Sequence, residues 1–114
     1  MKKLFSALVL GAFCMGSAAA ADVAKGEALV KKYNCASCHG ADYNKPIDPS
    51  YPKLAGQHAD YLELAMIAYK RGGDVMNGRS NAIMGAQVKP LSRQEIKDLA
   101  AYLNSLPGSL VLRK

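Results

Sequence analysis

Cys35-Ala36-Ser37-Cys38-His39 are the residues of this chain whose types and spacing can do chemistry together. Two thiols three positions apart lie on one turn of backbone, and each can add across a vinyl group of a porphyrin to form a thioether. His39 follows directly. A neutral imidazole is a good ligand for haem iron, and its adjacency to an anchored cysteine fixes its position without help from distant packing. C-x-x-C-H therefore reads as the attachment site of one covalent c-type haem.

C-x-x-C alone also serves thioredoxin-like redox centres and zinc sites. A thioredoxin motif expects a βαβ context, whereas the flanks here read as helix and loop. A zinc site needs four ligands, and beyond the motif the chain offers one further histidine, His58, and one further cysteine, Cys14. Metal or disulfide chemistry stays as the alternative to haem.

The elements that must position the motif begin after a leader. Met1-Lys2-Lys3 is a positive start, Leu4 to Met15 is apolar, and Ala18-Ala19-Ala20-Ala21 supplies the small residues that a signal peptidase requires. Residues 1–21 read as a secretory signal peptide, too short in its apolar run for a membrane span. Phe13 before Cys14 is too bulky for a lipoprotein site. Cleavage after Ala20 or Ala21 leaves about 93 residues, one domain over 22–114.

Cleavage would also remove Cys14, so Cys35 and Cys38 would be the only thiols left, and no disulfide framework is expected. Loss of Lys2 and Lys3 takes the formal charge from +6 to +4. That mild excess suits acidic protein partners or anionic membrane surfaces and is too scattered for nucleic acid. A domain of this size is near the limit for a purely side-chain core, so the haem is expected to supply the core's centre.

Asp22 to Tyr33 reads as an amphipathic helix with Asp22 as N-cap and Val23, Gly26, Leu29, Val30 and Tyr33 at helical spacing. Gly26 inside it costs about 1 kcal/mol relative to alanine, which points to close approach of another backbone. Gly40 to Pro52 holds three prolines and reads as a loop that brings Pro52-Lys53-Leu54-Ala55-Gly56 beside His39. A ligating histidine usually donates its second N–H to a carbonyl.

His58 to Arg71 reads as a second helix stopped by Gly72-Gly73, with His58 facing solvent and Met66 on its packed face. Asp74 to Pro90 shows no regular pattern and reads as loop, with Met76 and Met84 as candidate sixth ligands. A thioether favours ferrous iron and raises the potential relative to a second histidine. Met84, in the loop Asn81 to Ala86 just upstream of the last helix, is the choice. That last helix carries a capping box, Ser92 to Glu95, and the stripe Ile96, Leu99, Ala100, Leu103 and Leu106, and it ends at Pro107-Gly108.

This order of helix, C-x-x-C-H, loop, middle helix, methionine loop and terminal Leu-Ser-x-x-Glu-Ile-x-x-Leu-Ala-x-Tyr-Leu helix resembles the class I c-type cytochromes. It is most similar to bacterial mono-haem cytochromes of the c-553 kind and to one half of the di-haem cytochrome c-4 type. Tyr51-Pro52-Lys53-Leu54-Ala55-Gly56-Gln57 followed by Tyr61-Leu62 is the specific part of the match. The resemblance implies an all-α fold in which the N- and C-terminal helices cross around the haem. It implies that Met84 is the axial methionine, that the Pro52 carbonyl accepts a hydrogen bond from His39, and that Gly26 meets the last helix at Tyr102.

The function expected is electron transfer by a periplasmic, monomeric carrier. It would take one electron from a reductase or dehydrogenase and pass it to an oxidase or other acceptor, in some cases while peripheral to a membrane complex. Saturated His39/Met84 ligation leaves no open position, so no enzyme activity is expected. The lysines and arginines from Lys31 to Lys89 could surround an exposed haem edge with positive charge. The rival readings are a haem catalyst or gas sensor with an open sixth position, and the cytochrome subunit of a larger dehydrogenase complex.

Overall fold

A computed structural model describes residues 19–109 and, apart from them, Gly11. Most of the expected leader, including Cys14, and the end of the C-terminal tail lie outside the described residues. Five helices follow in order: α1 (Val23–Lys32), α2 (Ala36–His39), α3 (Ala59–Arg71), α4 (Ala82–Val88) and α5 (Arg93–Ser105). The fold is all-α, with no strand among the described residues.

α1 starts where its cap dictates, since the Asp22 carboxylate accepts the Lys25 backbone N–H at 3.1 Å. Leu29 and Val30 turn inward, whereas Val23 at the first position is 45 % exposed and lies off the packed face. The helix ends at Tyr33, and Asn34 then takes a left-handed backbone with φ 52°. Asparagine tolerates that region better than most residues, and the reversal leads straight into the single turn of α2. Gly40, with φ 89°, closes that turn; a Cβ there would run into the Lys45 carbonyl.

α3 runs from the His58 cap to Arg71 and stops at Gly72, with Leu62, Met66, Ile67 and Ala68 buried. α4 is a correction to the loop expected over 74–90. Asn81 caps it by accepting the Met84 backbone N–H at 2.9 Å, but a helix of two turns is too short to show a periodic stripe, and Val88 alone is fully buried on it. α5 has the expected capping box, with Glu95 N–H donating to Ser92 Oγ at 3.1 Å and Ser92 N–H donating to Glu95 Oε2 at 2.8 Å.

α1 packs on α5, α5 also packs on α3, and α3 carries α4. The α1–α5 contact is close because Gly26 has no side chain: a Cβ there would overlap the Asp98 carbonyl and lie 2.7 Å from the Tyr102 Cβ. Sequence reading and structure agree on this point. The irregular segment 40–58 is stitched to the end of α5, with Gly56 N–H donating to the Leu103 carbonyl at 2.9 Å and Asn104 Nδ2 to the Gln57 carbonyl at 2.7 Å. Asn44 adds a two-way clamp, donating to the Pro107 carbonyl at 3.0 Å and accepting from Ser109 N–H at 3.1 Å. Tyr43, 6 % exposed, packs edge-on against Tyr102 with centroids 6.5 Å apart.

Gly26→Ala sets two effects against each other. Alanine raises helix propensity by about 1 kcal/mol, but its methyl meets a backbone carbonyl that cannot swing away, an overpacking cost of about 1–3 kcal/mol or more. The clash wins, so denaturant unfolding should show a net loss of stability. Tyr43 makes a second prediction. Burial, chiefly, with the nearby Cys35 and Tyr102, pushes its phenol up to about 12. The native state therefore holds a proton that the unfolded chain releases near pH 10, so stability is full below pH 10 and falls as pH rises toward about 12. Unfolding midpoints measured across that window should flatten in Tyr43→Phe.

Candidate functional site

The left-handed exit from α1 sets Cys35 as the residue before α2, and α2 then carries Cys38 one turn on. Both are free thiols and half-buried. Burial pushes the Cys35 thiol above its ordinary pKa. His39 ends the same turn and is 6 % exposed.

The imidazole is oriented by the loop. His39 Nδ1 lies 2.9 Å from the Pro52 carbonyl oxygen. A carbonyl can only accept, so Nδ1 carries the proton and Nε2 keeps its lone pair free for a metal. The Tyr51 ring sits beside it, 6.4 Å between centroids and tilted by 47°.

These residues border a cavity of about 270 Å³. Its walls are the core itself, chiefly Leu62, Met66, Val88, Leu91, Leu99 and Leu103. Cys35, Cys38, His39, Pro52 and Met84, five residues singled out from the sequence, all line this one space. Met76 does not line it and is 88 % exposed. Met66 lines it from α3, buried within the core, and His58 stays exposed at the α3 cap.

Two thiols on one turn, an imidazole with a free lone pair, a thioether and an aliphatic wall suit an iron porphyrin held by thioethers. The zinc alternative has no such support, because no group of three or more His, Cys, Asp or Glu gathers among the described residues. Residues 23–107 match the family model described as cytochrome c. The chain belongs to the cytochrome c family.

Among its cytochrome relatives is cytochrome c4 of Stutzerimonas stutzeri, 37 % identical over 115 residues, covering 96 % of this chain and 53 % of the relative. Cytochrome c-554(548) of Halomonas halodenitrificans is 40 % identical over 86 residues, covering 75 % of this chain and 98 % of the relative. The crystal structure of reduced recombinant cytochrome c4 from Pseudomonas stutzeri superposes with a TM-score of 0.70 at 36 % identity, over 80 % of this chain and 48 % of that one. The chain thus spans about half the length of the cytochrome c4 proteins it matches and nearly all of the c-554(548) relative.

One feature of this cytochrome site was not legible beforehand. Arg79, expected among the cations that could surround an exposed haem edge, sits on an aromatic seat: it lines the cavity with its guanidinium 5.7 Å from the Tyr61 ring and 5.5 Å from the Tyr69 ring. Its Nη2 donates to the Tyr61 hydroxyl at 3.4 Å, and its backbone N–H donates to the Ala68 carbonyl at 2.9 Å. Tyr61 and Tyr69 recur two helical turns apart, which is the signal that could have suggested an aromatic seat for a cation. No carboxylate pairs with Arg79 among the described residues.

The cap on α4 is the lever that holds Met84. Asn81→Ala should cost about 1 kcal/mol and speed amide exchange across Ala82–Val88 while leaving α5 protected. Unchanged exchange in α4 would show that the cap does not hold it.

Proposed function

We propose that this cytochrome is a periplasmic one-electron carrier, with one haem attached through Cys35 and Cys38 and ligated by His39 and Met84. The observation that carries the reading is the His39 Nδ1 to Pro52 contact at 2.9 Å beside a cavity that Met84 also lines. When bound, the haem supplies a one-electron step between Fe(III) and Fe(II).

The chain's own residues do the rest. Each thiol adds its sulfur to one carbon of a vinyl group and its hydrogen to the other, with no net oxidation. The Pro52 carbonyl fixes the His39 ring and raises its basicity as a ligand by accepting a hydrogen bond from Nδ1–H. Met84 comes from a capped helix, which would limit the movement of the soft donor when the haem changes oxidation state. Little movement of either ligand keeps the reorganisation cost of electron transfer low.

Leu62, Leu91, Leu99 and Leu103 give the space an apolar wall, and a low-dielectric wall would strengthen electrostatic influences on the redox centre. Arg79 and Lys53 are positive charges on its lining. The Arg79 guanidinium would be available to a carboxylate of the bound haem, and Lys53 would be available to steer an acidic redox partner.

The support for the periplasmic assignment is the leader expected from the sequence over residues 1–21; no helix among the described residues is long and apolar enough to cross a membrane. A second reading follows from a relative named cytochrome subunit of sulfide dehydrogenase, of Chlorobaculum tepidum, 33 % identical over 82 residues. On that reading the chain passes electrons inside a dehydrogenase complex. Its mobility on gel filtration of native extract separates a free carrier from a bound subunit.

The test of the ligand set is the visible spectrum of the holoprotein in both oxidation states. The weak long-wavelength charge-transfer band of a sulfur-ligated ferric haem should be present, should vanish in Met84→Ala, and should survive in Met66→Leu. Carbon monoxide should bind the reduced Met84→Ala variant readily and the parent poorly. A parent that lacks the band and binds carbon monoxide would put the catalyst or sensor reading first.

A further inference from the structure

Asp98 lies in the middle of α5 with 2 % of its surface exposed. Its Oδ1 accepts hydrogen bonds from two neutral donors, the Asp22 backbone N–H at 2.8 Å and Gln94 Nε2 at 2.9 Å. No lysine, arginine or histidine lies within ion-pair distance of it among the described residues. A carboxylate removed from water is costly unless a positive charge meets it, and two neutral donors compensate for only part of that cost. Lys25 and Lys32 line a small cavity with Asp98 without pairing with it.

The donor that touches Asp98 is not an ordinary amide in its position along the chain. It belongs to Asp22, the N-cap of α1, and directly before it come Ala19, Ala20 and Ala21, exposed and outside any helix. Ala19 and Ala21 satisfy the small-x-small pattern that a signal peptidase reads before the bond it cuts. Hydrolysis of the Ala21–Asp22 bond adds water across it: Ala21 leaves as a carboxylate and the Asp22 nitrogen becomes an ammonium. The nitrogen that donates to the buried carboxylate then carries a full positive charge.

We propose that the leader is removed at the Ala21–Asp22 bond and that the new α-ammonium pairs with Asp98, so that processing completes a buried ion pair across the α1–α5 crossing. The proposal rests on the export reading above. Position matters to a single residue. A cut after Ala20 leaves the Asp22 nitrogen a neutral amide and moves the charge one residue out, away from the carboxylate.

Helix electrostatics add a reason for the pairing. An ammonium at the start of α1 faces the positive end of the helix dipole, which on its own disfavours it. The carboxylates of Asp98 and Asp22 are the anions that offset this, the second already bound to Lys25 N–H. Gln94 also donates to the Ala20 carbonyl at 3.2 Å; after the cut it keeps its bond to Asp98 and helps to fix the carboxylate's orientation.

Intact mass of the holoprotein, exported by its own leader in a host that attaches haem, is the first measurement. The expected mass is that of a chain beginning at Asp22 and carrying one haem. A mass that retains Met1 overturns the export reading and the proposal with it, whereas a start at Ala21 or any other residue overturns the proposal alone. The second measurement compares denaturant unfolding, at neutral pH, of holoprotein beginning at Asp22 with holoprotein that retains Ala21.

The Ala21-retaining form should have an unfolding constant about tenfold larger, because a neutral amide meets the Asp98 carboxylate there and an ammonium meets it in the form that begins at Asp22. That gap should close when both forms carry Asp98→Asn. Equal stability of the two forms with native Asp98 overturns the ion pair, and so does a gap that persists in the Asp98→Asn pair. If Asp98→Asn does not fold, the comparison with native Asp98 decides.

Discussion

The approach of α1 to α5 at Gly26 is the constraint on which the rest of this structure depends. Because glycine lets the Asp98 carbonyl and Tyr102 come against the α1 backbone, the two helices act as one rigid unit. From that unit α1 delivers Cys35 through the left-handed Asn34, and α5 supplies Leu99 and Leu103 as cavity wall. The Leu103 carbonyl and the Asn104 amide then hold the loop that carries Pro52. The two sides of the His39–Pro52 contact are therefore positioned from the same crossing, one by each helix.

Core and site are consequently one object. Leu62, Met66, Val88, Leu91, Leu99 and Leu103 are buried residues of the hydrophobic cluster and also the lining of the cavity. In a domain this small, few apolar side chains remain to fill such a space from another direction. A group held there covalently makes the dispersion contacts that the wall would otherwise forfeit. Attachment by two thioethers would also restrict the unfolded chain around the motif, an entropic gain of the kind that cross-links provide. Size, cavity and a cysteine pair without a disulfide thus have a single physical explanation in the proposed haem.

Local rules carried much of this into the sequence. The capping box at Ser92 and Glu95, the Asp22 cap and the Gly72 stop act within three or four residues, so they can be read without tertiary knowledge. Gly26 was legible for another reason, because glycine inside a strongly patterned helix costs stability and so signals a close neighbour. α4 was lost because two turns with one fully buried residue produce no period, although Asn81 before Ala-Ile-Met was a cap in plain view. Arg79 on Tyr61 and Tyr69, and the burial of Asp98, depend on contacts between residues far apart in the chain. No local pattern records those, and an aspartate in the middle of an amphipathic helix looks solvent-facing until its neighbours are known.

The two ends of α1 are where covalent chemistry meets this fold. At one end Asp22 N–H touches the buried Asp98, and at the other Tyr33 and Asn34 lead into Cys35. On the readings proposed here, peptide hydrolysis charges the first end and thioether formation anchors the second, and both events belong to the compartment outside the cytoplasmic membrane. A chain still carrying its leader would then lack both the ammonium that satisfies Asp98 and the group that fills the cavity. Stability would be coupled to location through two side chains, Asp98 and Cys35, rather than through any separate regulatory element.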